Sequence, residues 1–301
     1  MVSKGDEKMK ITGYKVFSWV NVLLMLLILL VTAYPVYYIV VASFSSPQEL
    51  SRHSGILWSV LKPFTTSAYK MVFRHALIFS GFKNTLFILV VGLVVNMVLT
   101  ILGAYFLSVE GPMLKTPITF MIIFTMYFSG GMIPGYLNVQ SLGLLNTRWS
   151  LILVGAISTT NLIIMKSAFQ SIPSSLTEAA RLDGASYLQI LLKIMIPLSK
   201  ATLAVLVLYY GVSHWNSWFS ASIYIRDTEL YPLQLVMRNI LALQDQSMSG
   251  IMSDVSGDEA AMVAELIKYA LIVVGTAPIL VLYPFLQKHF VKGVMVGAIK
   301  G

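Results

Sequence analysis

The side chains best suited to bind a ligand are polar and aromatic groups inside a long apolar stretch: His214, Trp215, Asn216 and Trp218. An imidazole, an amide and two indole rings offer a few hydrogen bonds and flat apolar faces, which is typical of a pocket for a neutral polar molecule such as a sugar. The same residues also fit an aromatic belt at the outer end of a membrane span, and both interpretations stay open. Asn161, in another apolar stretch, either lines the same pocket or joins packed helices by a hydrogen bond.

Residue types needed for catalysis or metal binding are sparse. The chain has no cysteine, and its four histidines are too far apart in sequence to suggest a metal cluster. It also lacks the Gly-x-x-x-x-Gly-Lys-Ser/Thr pattern of a phosphate-binding loop. The sequence therefore predicts a chain that binds no metal or cofactor and has no catalytic residues.

The composition is that of an integral membrane protein. Of the 301 residues, 57% are hydrophobic and 11% are charged, whereas soluble domains have about 45–50% apolar and about 25% charged residues. The net charge of +8 comes from lysines and arginines that flank apolar segments and form no basic stripe. Membrane lipid explains this charge better than nucleic acid, and no nucleic-acid partner is predicted.

Six apolar segments are long enough to predict membrane-spanning helices, which makes the fold all-α. They are Val16–Val41, Thr85–Ser108, Pro117–Ile133, Ser150–Phe169, Pro197–Ile225 and Val263–Phe285. We expect three parts of the chain: an N-terminal tail (1–15), a six-span transmembrane domain (16–287) and a C-terminal tail (288–301).

Six spans place both chain termini on one side of the membrane. Lysine and arginine are more numerous on that side than on the other, so the positive-inside rule predicts cytoplasmic termini. The loop between the fourth and fifth spans is then cytoplasmic. The acidic loop Arg226–Met262 is extracytoplasmic, and its length indicates a functional segment.

The cytoplasmic loop 172–197 predicts two short helices separated by a glycine turn. Ser175 and Glu178 have the spacing of a capping box, so a helix is expected to begin there. Gly184 is placed to end this helix with a positive φ. Ser186 caps a second helix with Gln189, and Pro197 ends or kinks that helix.

A helix this short is unstable alone in water, so we expect it to dock on a partner protein. Ala179 and Ala180 give it a narrow side that another surface can approach closely. Glu178 offers a charge at the rim. Arg181 and Asp183 either add to that rim or are simply solvated.

The spacing of Glu178, Ala179, Ala180, Gly184, Ile194 and Pro197 resembles the EAA motif of permease subunits of binding-protein-dependent ABC importers. Ser129–Pro134 and Ser141–Thr147 are similar to the carbohydrate-uptake branch of that family, near the smaller subunit of the maltose permease. The resemblance implies the type I ABC importer permease fold. It also implies that the segment around Glu178 is a coupling helix.

The resemblance further implies a set of partners in a bacterial cytoplasmic membrane. A second permease subunit would pair with this chain, as a heterodimer in the maltose-type branch, although a homodimer stays open. Two ATPase subunits would bind ATP and Mg²⁺ and drive transport through the coupling helix. An extracytoplasmic solute-binding protein would deliver a sugar or oligosaccharide, and we expect it to contact the loop Arg226–Met262.

Three other functions stay open. An ABC permease for a non-carbohydrate solute would share every feature of the coupling loop. An ion-coupled secondary transporter would be expected to carry inverted repeats and a chain of charged residues across its spans. The sequence shows no repeat and no such chain, and Glu265 and Lys268, one turn apart at the start of the sixth span, are read as a local pair, with a proton relay as the alternative. A membrane-embedded enzyme would need clustered His, Asp or Glu residues, and the sequence offers no such set.

Overall fold

The computed structural model describes residues 4–111, 113–242 and 258–298, and this part of the chain folds into helices joined by turns and loops. The α-helices, in chain order, are α1 (Lys4–Ser43), α2 (Pro47–Arg52), α3 (Ser67–Arg74), α4 (Ala76–Ser108), α5 (Lys115–Tyr127), α6 (Met132–Ser141), α7 (Trp149–Leu153), α8 (Thr159–Gln170), α9 (Ser174–Leu182), α10 (Tyr187–Ile190), α11 (Ile196–Leu198), α12 (Lys200–Trp215), α13 (Trp218–Tyr224), α14 (Leu233–Ala242) and α15 (Asp258–Ala298). A π-helical turn (Leu191–Met195) joins α10 to α11, and a 3₁₀ turn (Thr228–Leu230) precedes α14.

Three helices in the described residues are long and apolar enough to cross a membrane. They are Tyr14–Ser43 in α1, Ala76–Ser108, which is α4, and Met262–Val281 in α15. They coincide with the first, second and sixth predicted spans. A fourth candidate is a broken span in which Tyr187–Leu198 and Lys200–Trp215 meet at 83°.

The other three predicted spans are not single helices. The third is interrupted between α5 and α6, the fourth between α7 and α8, and the fifth at Ser199 and again between α12 and α13. Apolar composition was sufficient to locate these segments. It could not show that their helices break, and in the fourth segment the break depends on tertiary hydrogen bonds described below.

The chain divides into two compact units. The first comprises Met1–Val72 and Met248–Val274, and the second comprises Phe73–Ser247 and Gly275–Gly301. In the first unit Phe44 stacks on Phe64 and on Tyr69, with ring centroids 5.3 and 4.9 Å apart. Burial raises the pKa of Tyr69, and its hydrogen bond with Ser43 partly offsets this rise.

Helix α4 is the central element of the second unit, where it packs against α8, α12 and α14. It is apolar overall but buries a stripe of polar residues: Asn84, Thr85, Asn96 and Thr100. Asn84 Nδ2 donates to the carbonyls of Glu229 (2.7 Å) and Tyr231 (3.0 Å), and Thr85 Oγ1 accepts from the Leu233 amide (2.8 Å). Buried polar groups need such partners, so this stripe fixes where the neighbouring segments attach.

Candidate functional site

The predicted coupling loop contains helix α9, which ends in a left-handed glycine turn. Gly184 follows the C-cap residue Asp183 with φ +80°, which confirms the conformation predicted for it. The Gly184 amide donates to the Arg181 carbonyl (3.0 Å), and the Ala185 amide donates to the Ala180 carbonyl (2.9 Å). These two bonds form a Schellman motif. The motif fixes the direction in which the chain leaves the helix.

The start of α9 differs from the prediction. The helix begins at Ser174 after Pro173, and no side chain caps it. The N-cap position is therefore two residues earlier than predicted, and Ser175 lies inside the first turn, where its hydroxyl cannot act as an N-cap. The predicted capping box of Ser175 and Glu178 is wrong. The Glu178 side chain instead remains exposed.

The second half of the loop begins as predicted and bends later than predicted. Ser186 and Gln189 form the expected capping box, with bonds of 2.8 and 3.3 Å. Pro197 lies within α11, and the chain bends at Ser199, two residues beyond it. A proline has no amide hydrogen to give to the carbonyl four residues earlier. The π-helical turn before it is one way in which a helix accommodates that missing bond.

One side of α9 packs on a buried apolar cluster, which we call the loop core. It consists of Ala104, Leu107, Leu162, Met165, Phe169, Ile190, Leu191, Met195 and Leu206, and Ala180 and Ala185 lie against it. Tyr105 Oη donates to the Tyr187 carbonyl at 3.1 Å. The guanidinium of Arg181 lies over the Tyr187 ring, 5.1 Å from its centroid. The loop is thus anchored to α4 and α8.

The other side of α9 is free surface. Glu178, Ala179 and Asp183 are exposed. Leu182 is 89% exposed, and sequence reasoning missed this apolar side chain because it lacks a position in the motif. Ile194 and Pro197 lie on the following turns and outside the loop core. Among the motif residues, Gly184 and Ala180 therefore shape and anchor the loop, whereas Glu178 and Ala179 are exposed on α9.

A second polar arrangement joins α4, α12 and the break between α7 and α8. His214 Nε2 is 2.6 Å from Asn96 Oδ1, and Asn96 Nδ2 donates to the Ala156 carbonyl at 2.7 Å. Tyr210 Oη is 2.7 Å from Thr100 Oγ1 and accepts from the Ser158 amide at 3.0 Å. These side chains satisfy backbone groups that the broken helix leaves without helical partners.

Gly92 makes room for this arrangement. A Cβ atom at Gly92 would lie 2.5 Å from His214 Nε2, closer than non-bonded atoms approach. His214 can reach Asn96 only because position 92 has no side chain. Sequence reasoning missed Gly92, and nothing in the local pattern of α4 distinguishes it.

Beside these bonds lies a cavity of about 750 Å³. Its lining is rich in hydroxyl, amide and aromatic groups: Asn96, Ser150, Leu151, Val154, Gly155, Ser158, Asn161, Leu208, Tyr209, Tyr210, Val212, Ser213, His214, Asn216, Ser217, Phe219 and Ser220. Three predicted pathway residues, His214, Asn216 and Asn161, are among them. No Lys, Arg, Asp or Glu occurs among the described residues of this lining.

The two tryptophans predicted to line the pocket, Trp215 and Trp218, do not line this cavity. Trp215 is buried and donates from its indole nitrogen to the Gly275 carbonyl at 3.0 Å. Trp218 lies under the guanidinium of Arg238, 4.8 Å from the ring centroid, and lines a separate cavity of about 400 Å³. Trp215 follows His214 in the last turn of α12, where a rotation of 100° per residue turns it to another side of the helix, and Trp218 begins α13.

Part of the predicted acidic outer loop Arg226–Met262 is described. It contains the 3₁₀ turn and α14, whose residues Leu233, Leu235, Val236, Met237 and Ile240 are buried. The segment Gln244–Gly257, which we expected to reach the binding protein, lies outside the described residues.

Comparison with known proteins identifies the family. No family model matches the chain. The chain is 40% identical over 277 residues to the polygalacturonan/rhamnogalacturonan transport system permease protein YtcP of Bacillus subtilis, covering 92% of this chain and 96% of that protein. It is 41% identical over 290 residues to the protein LplC of the same organism, covering 95% and 96%.

The chain belongs to the permease subunits of carbohydrate ABC transporters. A solved bacterial ABC transporter involved in import of the acidic polysaccharide alginate has a chain of similar fold, with a TM-score of 0.83 and 33% identity. That match covers 96% of the permease and 99% of the other chain. The resemblance read from loop 172–197 is thereby confirmed at the level of the family, and the permease is a multi-pass membrane protein.

Membership of this family gives the broken fourth segment a physical context. Non-helical backbone at membrane depth is tolerated only where protein buries it or where it lines a water-filled cavity. Residues 154–158, within the fourth predicted span, are held by protein contacts and border the cavity. Ala156 and Ser158 bond to side chains of α4 and α12, while Val154, Gly155 and Ser158 line the cavity.

Proposed function

We propose that the permease is one of two transmembrane subunits of an importer that takes up an oligosaccharide, driven by ATP hydrolysis on two partner ATPase subunits. An extracytoplasmic binding protein delivers the sugar. In this arrangement the permease adopts the type I importer fold with six spans in the bacterial cytoplasmic membrane, and both tails are cytoplasmic. The permease itself binds no cofactor, since ATP and Mg²⁺ bind to the ATPase subunits.

The observation that carries this proposal is the two-sided geometry of α9. Its outer side displays Glu178, Ala179 and Leu182 to a partner, and its inner side packs on the loop core. The Schellman motif at Gly184 and the bond from Tyr105 to Tyr187 hold the helix in one orientation. Because packed elements tend to move as rigid bodies, a displacement of α9 by the ATPase passes to α4 and α8.

We propose that the 750 Å³ cavity lies on the path of the sugar. Its hydroxyl and amide groups can exchange hydrogen bonds with sugar hydroxyls, and Tyr209, Tyr210 and Phe219 offer ring faces. Because polygalacturonan and alginate, the polymers in the names of two similar proteins, consist of uronic acids, acidic oligosaccharides are the first substrates to test.

The experiment that tests the coupling proposal combines Glu178→Lys with Gly184→Val in the complete transporter. Glu178→Lys reverses the charge displayed by α9. Gly184→Val forces a β-branched residue into a positive φ, at a cost of about 1–3 kcal/mol. Both positions lie outside the predicted spans, so membrane insertion should be normal. We expect loss of ATP-driven uptake and release of the ATPase during purification.

A charge reversal elsewhere on the predicted cytoplasmic side gives the matched control. Glu110 is exposed between α4 and α5, outside the predicted spans, and Glu110→Lys should leave uptake close to that of the wild type. Full ATP-dependent uptake in the double variant, with the ATPase still bound, would refute the coupling role of α9. An ion-coupled transporter would show uptake without any ATPase.

A further inference from the structure

Two tyrosines form a parallel pair at the end of α13. Tyr136 of α6 and Tyr224 of α13 have ring planes inclined by 15° and centroids 6.5 Å apart. Tyr224 packs against a buried cluster that includes Ile88, Ile152 and Ala221. This packing holds the pair in place, and both rings remain partly accessible to solvent.

Arg226 extends beside the tyrosine pair. Its Nη2 donates to Tyr136 Oη at 3.1 Å, and the side chain is exposed. Its main chain is held separately, because Asn146 Oδ1 accepts from the amides of Arg226 (3.0 Å) and Asp227 (2.8 Å). The guanidinium is therefore not needed to shape this turn.

The charge of Arg226 is uncompensated in the described part of the chain. The ion pair found among the described residues joins Arg52 to Glu49, at 3.8 Å, and does not involve Arg226. The neighbouring carboxylate of Asp227 accepts from the Glu229 amide at 3.0 Å. Arg226 keeps most of its five donors, and a guanidinium fork matches the two oxygens of a carboxylate.

The position of Arg226 complements the uncharged cavity. Phe219 and Ser220 of α13 line that cavity, and Tyr224 lies one helical turn further along the same helix, a rise of about 6 Å. A sugar unit at the tyrosine pair would therefore be close to another unit in the cavity. The cavity offers groups for sugar hydroxyls, whereas Arg226 offers the positive charge that the cavity lacks.

We propose that Arg226, positioned by Tyr136, binds the carboxylate of a uronic-acid unit while the tyrosine pair packs against the sugar ring. This inference rests on the proposed function and adds to it a binding site for the carboxylate of an acidic oligosaccharide. Arg226 distinguishes an acidic sugar from a neutral one, and Tyr136 is a positioning residue that holds the guanidinium.

The test measures binding of two matched trisaccharides to the purified transporter complex in nanodiscs. The probes are radiolabelled trigalacturonate and the same trisaccharide with its carboxylates methyl-esterified, compared by equilibrium dialysis. Omitting the binding protein excludes that partner's own preference. We expect the wild type to bind the acid about tenfold more tightly, the size typical of one charge-assisted interaction.

The variants separate charge from position. Arg226→Gln should weaken binding of the acid until it equals that of the ester, and Arg226→Lys should retain part of the preference because it keeps the charge without the fork. Tyr136→Phe keeps the ring but frees the guanidinium, so it should reduce the preference by a smaller factor. Arg52→Gln, which removes an exposed arginine of another segment, is the control and should keep the full preference.

Three results would overturn the inference: a wild type that binds acid and ester alike, an Arg226→Gln variant that keeps the preference, or one that weakens both sugars equally. If Arg226→Gln leaves sugar binding intact and lowers affinity for the binding protein, the arginine is a protein-docking residue instead. Each of these results is compatible with ATP-driven uptake that depends on Glu178 and Gly184. Failure of this inference is therefore distinguishable from failure of the proposed function.

Discussion

Gly92 determines whether the polar contacts beside the cavity can form. The absence of a side chain there lets the His214 imidazole approach α4 and reach Asn96 at 2.6 Å. A Cβ atom would occupy the position of that imidazole, 2.5 Å from Nε2. Adding a single methyl group at position 92 therefore tests the contact between α4 and α12.

We expect Gly92→Ala to destabilise the permease by about 1–3 kcal/mol, the usual cost of inserting a methyl group into a packed interior. The loss should appear as a lower thermal midpoint of the purified complex and as reduced uptake. Gly211→Ala is the matched control, because a Cβ atom at Gly211 of α12 has no neighbour within 4 Å.

Removing the clashing ring should restore part of the loss. The double variant Gly92→Ala, His214→Ala has space for the new methyl group, so its midpoint should lie above that of Gly92→Ala alone. If both variants are equally unstable, the cost comes from α4 itself and not from contact with His214.

At the scale of elements, the break between α7 and α8 depends on Tyr210. Its hydroxyl accepts from the Ser158 amide and bonds to Thr100, so it links α12 to the interrupted segment and to α4. We expect Tyr210→Phe to cost about 1–3 kcal/mol, because a part-buried amide and a buried hydroxyl lose their partner.

Tyr209→Phe provides the control for that prediction. Tyr209 is the adjacent residue on α12, is 47% exposed and lines the same cavity. Its variant should keep the thermal midpoint of the wild type. An equal loss in both variants would mean that the break tolerates the missing bond and that any tyrosine-to-phenylalanine change in α12 is harmful.

Local patterns predicted some of these elements and not others. The turn at Gly184 and the box at Ser186 were predictable because their physics lies within a few neighbouring residues. The break before Ser158 was not, since it depends on Asn96 and Tyr210, which are distant in sequence. The same limit explains why the sequence could not show that Trp215 lies away from the cavity, because its partner, the Gly275 carbonyl, is 60 residues away.

At the scale of the whole transporter, we retain the prediction that the outer loop contacts the binding protein. Shortening Gln244–Gly257 should lower ATPase stimulation by the loaded binding protein and leave basal ATPase activity unchanged. The reason is that α14 and the 3₁₀ turn, bonded to α4 through Asn84 and Thr85, lie outside the deletion and keep their contacts. Unchanged stimulation would mean that the segment is only a tether.

Helix α4 has two attachment points near its opposite ends. Asn84 and Thr85 hold the segment around Tyr231, and Tyr105 holds Tyr187 beyond the glycine turn. Along a straight helix, positions 84 and 105 are about 30 Å apart, the thickness of a bilayer core.

Helix α4 thus connects the segment around Tyr231, expected to face the delivered sugar, with the predicted coupling loop, expected to face the ATPase. Thermodynamic linkage makes the coupling between these two surfaces reciprocal. If binding of the ATPase changes affinity at the outer surface by some factor, binding at the outer surface changes affinity for the ATPase by the same factor. A variant that weakens either attachment point of α4 should therefore reduce both changes in affinity by the same ratio.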